Sequence, residues 1–338
     1  MSAEAPSETL VAGTTCVVID CNEWIRLKWL GSPIGRAFMT TLERNKTLVL
    51  AIPEVLDSEL TKHRAADARA LLRRLEDIKA EIDTATGGAV ITGMVGLTEE
   101  EIEVAIRQRL ATASDRIIYP EMTLEQVRGA LRRVNGETPP NGPKNQQMKD
   151  SLLWEACLTL SEDSRIIFVT SDSGFYLDRQ SKKGLARNLA EEPAVSTGRL
   201  RVFPSLEEAL AVLAPDSVAS EAEAEKVDIR ELLAVEARWA FHSSHIATDV
   251  AAEITDRGVV PHFFRTDTPH VFAVSFTAFF HVNRGTEDRL SGEAAVTGEC
   301  TLDARTTTVT AVHLERINWT LRDASGKEIK SRELLHEA

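Results

Sequence analysis

Short apolar runs alternate with amphipathic stretches along the first two thirds of the chain. The runs are rich in β-branched residues and have the length of buried parallel strands. Between them, apolar residues recur at helical spacing, as in the long segment from Glu54 to about Ile82. Strands and helices that alternate in this way predict an α/β fold with a doubly wound parallel sheet. The predicted strands are Val17–Asp20, Thr47–Ile52, Ile117–Pro120, Arg165–Asp172 and Leu200–Phe203.

The pattern changes near residue 215. Residues 215–226 are dominated by Ser, Ala and Glu, which is typical of a linker or an exposed helix. A helical pattern follows from Val227 to Ile254, and beyond Gly258 apolar and polar residues alternate between turn signals. This alternation predicts an antiparallel meander that packs on one or two helices. We therefore expect an α/β domain over residues 14–214, a linker over 215–226, and a smaller α+β domain of unknown role over 227–338.

Composition limits the kinds of partner that the chain can bind. It has 338 residues, a formal net charge of −13 and 5% aromatic residues. Such an acidic chain does not bind nucleic acid through its overall charge, so local basic patches and metal ions would have to attract phosphates. The four cysteines lack zinc-binding spacing and fit a reducing compartment. The acidic N-terminus does not resemble a signal peptide, and no apolar run has membrane-spanning length, so we expect a cytoplasmic protein without a membrane partner.

Four carboxylates stand at matching places in the predicted fold. Asp20 and Asp172 end strands, Asp150 opens a helix, and Glu59 lies early in the helix after the second strand. Taken alone, Asp20 fits the cap of the following helix as well as a functional site. A parallel sheet, however, gathers its strand ends at one edge, where open α/β sheets bind their ligands. Carboxylates crowded there repel one another unless a cation joins them, and oxygen ligands suit Mg²⁺ or Mn²⁺.

Divalent ions held in this way can clamp a phosphodiester and activate water, which connects the pattern to nucleases. Four segments, in order, resemble the four acidic motifs of PIN domains. The resemblance covers roughly residues 14–214 and is to a bacterial PIN-like branch with a long insertion before the third motif, so the C-terminal module lies outside it. The four segments are Val17–Asn22, Ile52–Leu60, Lys149–Glu155 and Phe168–Phe175.

The resemblance implies a three-layer α/β/α fold and metal-dependent cleavage of RNA, usually single-stranded. By residue match, Asn22 and Thr170 would be supporting polar groups, and Glu54 is the alternative to Glu59. The sequence departs from the family at Gly174, where many PIN domains carry a further Asp, and this departure bears on a second metal ion. The implied catalytic and metal-binding residues are Asp20, Glu59, Asp150 and Asp172.

Lysines near the third and fourth motifs are the candidates for phosphate contacts. Lys149 directly precedes Asp150, and Lys182 and Lys183 follow the fourth motif. The alternative for each of them is an ordinary solvated face that pairs with nearby acids. We prefer Lys182 and Lys183 as nucleic-acid-binding residues, because they come soon after the last predicted catalytic strand.

The sequence therefore favours a Mg²⁺- or Mn²⁺-dependent endoribonuclease. Two alternatives stay open. One is a catalytically weak PIN-like scaffold that binds RNA or a protein partner, and the other is a structure-specific DNA nuclease. For the C-terminal module, substrate recognition, formation of a homo-oligomer and binding of a regulatory protein are equally compatible with the sequence.

Overall fold

A computed structural model describes residues 13–87, 98–111, 113–142, 146–219, 229–243, 252–284, 290–323 and 325–335. Contacts divide the chain into two compact units. The first unit holds the residues up to Ile25 together with Leu42–Ser205, and the second holds Arg26–Thr41 together with the residues from Leu206 onward. Each unit is built around one sheet.

The sheet of the first unit has five parallel strands, which are β1 (Thr15–Ile19), β2 (Leu48–Ala51), β3 (Ile117–Ile118), β4 (Arg165–Val169) and β5 (Leu200–Phe203). Their order across the sheet is β3-β2-β1-β4-β5. β1 therefore lies between β2 and β4, and the strand order reverses at β1. Open α/β sheets bind their ligands at such a reversal point. The predicted parallel sheet is confirmed, and every strand overlaps its predicted segment.

Helices alternate with these strands along the chain, although most of the second helix belongs by its contacts to the second unit. Residues 27–32 separate the first two helices, and the second helix begins at Pro33. The fifth helix begins with a capping box, in which Thr123 and Gln126 each accept the other's backbone amide hydrogen. The helices are α1 (Cys21–Arg26), α2 (Pro33–Arg44), α3 (Glu54–Thr86), α4 (Glu99–Ala111), α5 (Leu124–Asn135), α6 (Met148–Leu160), α7 (Arg187–Ala190) and α8 (Pro193–Ser196).

The sheet of the second unit has six antiparallel strands, which are β6 (Val218–Ala219), β7 (Ala252–Arg265), β8 (Val271–Arg284), β9 (Leu290–Asp303), β10 (Thr308–Arg322) and β11 (Glu328–Leu335). Neighbours in the chain are neighbours in the sheet, so this is the predicted meander. Two complete helices also belong to this unit, α9 (Leu206–Leu213) and α10 (Ile229–Ser243), together with residues 33–41 of α2. Leu233 and Ala237 of α10 lie in the same apolar core as Phe276 and Phe280 of β8.

The second unit differs from the sequence prediction in three places. The last three residues of the predicted helical segment, which ends at Ile254, belong to β7. The short strand β6 lies inside the predicted linker 215–226, of which residues 220–226 lie outside the described residues. β11 was not predicted at all. The division into 14–214, 215–226 and 227–338 remains a prediction, and the grouping by contacts differs from it at Arg26–Thr41 and α9.

Polar contacts hold the segment that leads into α2 within the second unit. Glu299 of β9 is fully buried, and its Oε2 accepts a 2.7 Å hydrogen bond from the backbone amide of Ile34. Arg26 donates two hydrogen bonds of 3.1 Å to the two carboxylate oxygens of Glu207, and it also contacts Glu315. These partners come from late in the chain, which is why a segment of the predicted first domain groups with the second unit.

Candidate active site

The predicted acids lie at the ends of strands and the starts of helices. Asp20 directly follows β1 and Asp172 comes three residues after β4, and these two strands are neighbours in the sheet. The backbone amide of Asp20 donates a 2.9 Å hydrogen bond to the carbonyl of Val169, so the pairing of β1 with β4 continues up to the site. Asp150 lies in the first turn of α6, and Glu59 lies in the second turn of α3.

A buried aromatic cluster fixes α6, β4 and the turn after β4 relative to one another. The ring centroid of Trp154 lies 6.4 Å from that of Phe168 and 5.9 Å from that of Phe175, and the two phenylalanine centroids are 5.2 Å apart. All three side chains are fully buried. Asp150 comes one helical turn before Trp154, and Asp172 lies between the two phenylalanines in the chain. This packing therefore sets the spacing between the two acids.

Thr170 connects two of the acids. Its Oγ1 donates a 2.7 Å hydrogen bond to Oδ2 of Asp20 and accepts a 3.1 Å hydrogen bond from the amide of Asp172. The other oxygen of Asp20, Oδ1, accepts a 2.7 Å hydrogen bond from the amide of Cys21, which is the first residue of α1. Asp20 thus binds the start of the helix, and each of its oxygens keeps a further lone pair for another ligand.

Burial and mutual repulsion favour the protonated forms of two acids. Burial and, after it, the negative charges of Asp20, Asp172 and Glu59 together raise the pKa of Asp150 to about 7, while Lys149 opposes part of this rise. Burial also raises the pKa of Asp20, hydrogen bonds from Thr170 and Cys21 offset part of the rise, and the charge of Asp172 adds to it, so that the pKa is about 6. The acids are therefore close enough to repel one another. A divalent cation among them would relieve this repulsion.

The oxygen atoms at this edge of the sheet fit a hard divalent cation. Oδ2 of Asp150 is buried and has no hydrogen-bond partner among the residues that the structure describes. Within the same described ranges, no lysine or arginine forms an ion pair with Asp20, Asp150 or Asp172. A buried carboxylate oxygen without a donor is unfavourable. Mg²⁺ and Mn²⁺ prefer carboxylate oxygens, so these residues have the chemistry to hold either ion.

The structure distinguishes the two candidate acids of α3. Oε1 of Glu59 lies 3.2 Å from Nζ of Lys149, and the charge of Glu59 raises the pKa of Asp150. Glu54 is exposed, and its Oε2 accepts a 2.9 Å hydrogen bond from the amide of Met122. Of these two glutamates, Glu59 therefore lies toward the other acids. The side chain of Glu54 instead connects the start of α3 to the loop before α5 by a hydrogen bond.

Gly174 stands where many PIN domains have a further Asp. A Cβ atom on this glycine would lie 2.7 Å from the carbonyl oxygen of Pro140 and 3.0 Å from Oδ1 of Asp172. Side chains do not approach other atoms so closely, so the loop at Pro140 fills the space that a side chain would need. The next nearest atom, at 3.4 Å, is Oε1 of Gln147, which is buried and unpartnered within the described residues. An amide oxygen thus lies beside the place of the missing carboxylate.

The remaining predicted site residues are solvent-accessible. Asn22 is exposed in α1. Lys149 is also exposed and pairs with Glu59. Lys182 and Lys183 lie on a short helical turn after the fourth motif, and Nζ of Lys183 is 3.0 Å from a carboxylate oxygen of the exposed Asp178.

Other groups near the acids were not predicted from the sequence. Glu23 of α1 is almost completely buried, and its negative charge raises the pKa of Asp20. Cys21, Glu59 and His63 each offer one ligand atom, and these atoms lie within 4.8 Å of one another. The structure describes no other group of three or more His, Cys, Asp or Glu side chains this tight.

Comparison with known proteins gives a family for the first part of the chain. The family model described as PIN domain matches residues 17–175, a range that contains all four predicted acids. A search of curated proteins and a search of solved structures each gave no significant match. No helix in the described part of the chain is both long and apolar enough to cross a membrane. PIN domains form a family of nucleases that generally depend on divalent metal ions. Residues 17–175 of this chain therefore belong to the PIN domain family.

Proposed function

We propose that this chain is a Mg²⁺- or Mn²⁺-dependent endoribonuclease that hydrolyses phosphodiester bonds of single-stranded RNA. The observation that carries the proposal is the environment of the Asp150 carboxyl group. Its pKa is raised to about 7 by burial and by neighbouring acids, and its Oδ2 has no hydrogen-bond partner in the described part of the chain. The membership of residues 17–175 in a nuclease family supports the same reaction. The proposed metal ligands are Asp20, Glu59, Asp150 and Asp172.

Residues around the proposed ligands hold them in place. Divalent ions, when bound, would neutralise the phosphate and lower the pKa of an attacking water molecule. Thr170 fixes Oδ2 of Asp20, and the amide of Gly174 fixes Oδ1 of Asp172 with a 2.6 Å hydrogen bond. Asp150 gives up its proton when it binds a cation, so metal binding is expected to release protons. Lys149 is exposed and can turn from Glu59 toward a phosphate.

Cleavage of labelled single-stranded RNA by the full chain tests the proposal. We expect cleavage with Mn²⁺ or Mg²⁺, none with chelator, and a loss of roughly hundredfold or more in Asp150→Asn. Asp163→Asn is the matched control, because Asp163 is exposed in the loop between α6 and β4, at the opposite edge of the sheet. Equal cleavage by wild type and Asp150→Asn would contradict the proposed role of Asp150 as a metal ligand in catalysis.

Parallel substrates separate the proposal from its two alternatives. Single-stranded DNA and flap DNA of matched length are tested beside RNA under the same conditions. Preferred cleavage of DNA would make the chain a DNA nuclease. RNA binding without cleavage of either nucleic acid would favour the catalytically weak scaffold. The specific reason to consider this alternative is Gly174, which stands where many PIN domains have a carboxylate.

The choice between Glu59 and Glu54 is tested by Mn²⁺ affinity. Glu59 lies toward the other acids, whereas Glu54 binds the amide of Met122. Glu59→Gln is therefore expected to weaken Mn²⁺ binding more than Glu54→Gln does. The reverse order would assign the ligand to Glu54.

Lys182 and Lys183 are the proposed phosphate contacts, because both are exposed close to the fourth motif. Each phosphate contact adds about one unit to the slope of log affinity against log salt. Replacing both lysines by Ala in a catalytically inactive background is expected to weaken RNA binding and to lower this slope. Lys46→Ala is the matched control, because Lys46 is exposed just before β2, at the other edge of the sheet. An unchanged slope in the double variant would exclude these contacts.

A further inference from the structure

One thiol, one carboxylate and one imidazole meet beside the proposed carboxylate centre. Glu59 and His63 are four residues apart on α3 and therefore share one face of that helix, with Oε1 of Glu59 4.0 Å from Nε2 of His63. Cys21, at the start of α1, is almost completely buried. One ligand atom from each of the three side chains lies within 4.8 Å of the other two. Two separate elements thus bring three different metal-binding groups to one point.

The spacing of these atoms is close to that of a zinc site. Ligand atoms of a tetrahedral Zn²⁺ ion are roughly 3.3 to 3.7 Å apart, given metal–ligand distances of about 2.0 to 2.3 Å. Adjustments of about 1 Å would bring the three atoms to that distance. His63 and Glu59 are partly exposed, so their side chains can make this movement. Sulfur and nitrogen ligands favour Zn²⁺ over Mg²⁺, which prefers oxygen alone.

We propose that Cys21, Glu59 and His63 bind a borderline-soft divalent cation of the zinc type, at a site next to the carboxylate centre that shares Glu59 with it. The fourth ligand is water, as in zinc sites with three protein ligands. Lys149, whose Nζ lies 3.2 Å from Oε1 of Glu59, leaves this carboxylate when the cation binds. The Cys21 thiol releases its proton to solvent and binds as thiolate.

The shared ligand has a functional consequence that rests on the proposed nuclease activity. A Zn²⁺ ion at this site engages Glu59 and withdraws it from the carboxylate centre. Zn²⁺ is therefore an inhibitor of the Mg²⁺-dependent reaction, and its action depends on Cys21 and His63, which are not proposed ligands of the carboxylate centre. The binding of Zn²⁺ itself requires no nuclease activity, so it can be tested separately.

Co²⁺ is the probe for the site, because a thiolate bound to Co²⁺ gives a charge-transfer band in the near ultraviolet. The metal-free full chain is titrated with CoCl₂, and Zn²⁺ is then added as a competitor. We expect the band in wild type, its loss in Cys21→Ser, and a decrease in affinity of about tenfold or more in His63→Ala. A wild-type chain without the band, or a band of full intensity in Cys21→Ser, would overturn the proposal.

Two control variants separate this site from other metal sites. His262→Ala removes an exposed histidine of β7 and is expected to leave Co²⁺ binding unchanged. Asp172→Asn removes an acid of the carboxylate centre and is expected to retain the thiolate band. Loss of the band in Asp172→Asn would mean that the metal sits in the carboxylate centre instead. His63→Ala also protects the test against misfolding of Cys21→Ser, because His63 is partly exposed and Cys21 is buried.

Inhibition by Zn²⁺ is measured at fixed Mg²⁺ as the Zn²⁺ concentration that halves each variant's own cleavage rate. His63→Ala is expected to need about tenfold more Zn²⁺ than wild type, and His262→Ala the same amount as wild type. Equal inhibition of His63→Ala and wild type would contradict the regulatory role. If the chain cleaves no RNA, the proposed function fails while the spectroscopic test of the zinc site still stands.

Discussion

Thr170 donates a 2.7 Å hydrogen bond to Oδ2 of Asp20, and the same hydroxyl accepts the amide hydrogen of Asp172 at 3.1 Å. The two acids follow neighbouring strands, so a single side chain fixes both of them relative to the edge of the sheet. Thr170 is fully buried, so water does not reach this hydroxyl or replace it as the hydrogen-bond partner of the two acids. Groups that orient metal ligands in this way strongly influence metal affinity.

Thr170→Val keeps the shape of the side chain and removes both hydrogen bonds. We expect it to weaken Mn²⁺ binding by about tenfold, because Asp20 loses the bond that favours its ionised form. Thr170→Ser keeps the hydroxyl and is expected to bind Mn²⁺ within about threefold of wild type. Isothermal titration calorimetry measures both affinities. Similar affinities for the Val and Ser variants would show that the hydroxyl does not position the acids.

Gly174→Ala is expected to destabilise the first unit by about 1 to 3 kcal/mol, because the new Cβ atom would lie 2.7 Å from the carbonyl oxygen of Pro140. Urea denaturation gives the free energy of unfolding. Gly142→Ala is the matched control, since a Cβ atom there meets no atom of the described residues within 4 Å, and we expect a change within about 0.5 kcal/mol. A neutral Gly174→Ala would mean that the loop at Pro140 moves aside easily and that a carboxylate at this place is sterically allowed.

Mn²⁺ is expected to stabilise the folded chain, because it relieves repulsion among carboxylates that include Asp20 and Asp150. At about 100 times the dissociation constant, binding adds about 2.7 kcal/mol to the free energy of unfolding. Thermal unfolding with and without Mn²⁺ detects this as a higher midpoint. Asp150→Asn should lose most of the increase, whereas Asp163→Asn should keep it. An equal increase in both variants would show that Mn²⁺ binds elsewhere.

The sequence carries enough information to predict the sheet and the placement of Asp20 and Asp172. Both residues end apolar runs of strand length, and parallel strands bring their ends to one edge whatever the details of packing. Asp150 follows in the same way from its position at the start of a helix. The spacing of Glu59 and His63 on one helix face is also visible in the sequence, although it does not reveal that Cys21 lies beside them.

Contacts between residues distant in the chain were not predictable in this way. In the sequence, Gly174 stands where an acid is expected. Only the structure reveals that the carbonyl of Pro140 fills the space that a side chain at this position would need. Ile34 lies in a segment predicted to belong to the first domain, yet its amide binds Glu299, which is 265 positions away in the chain. Such long-range contacts depend on how the helices, strands and loops pack against one another. Neither the periodicity of the sequence nor local motifs predict them.

Glu299 makes the stability of the second unit depend on pH. Burial and, after it, the charges of Glu315 and Glu207 together raise its pKa to about 8, while Arg26 opposes part of this rise. In the unfolded chain this carboxyl ionises near its ordinary value of 4.5. As pH rises from there to about 8, the unfolded chain releases the proton while the folded chain keeps it, so the contribution of Glu299 to stability falls across this range.

Glu299→Gln keeps an oxygen acceptor for the amide of Ile34 and removes the titration. We expect wild type to lose on the order of 3 kcal/mol more than Glu299→Gln between about pH 5 and about pH 8. Urea denaturation followed by tryptophan fluorescence at several pH values measures the difference. Glu293→Gln, an exposed position on the same strand, should follow the wild-type curve because its carboxyl is largely in solvent. Parallel curves for wild type and Glu299→Gln would mean that Glu299 is ionised in the folded chain throughout this range, with Arg26 compensating its charge.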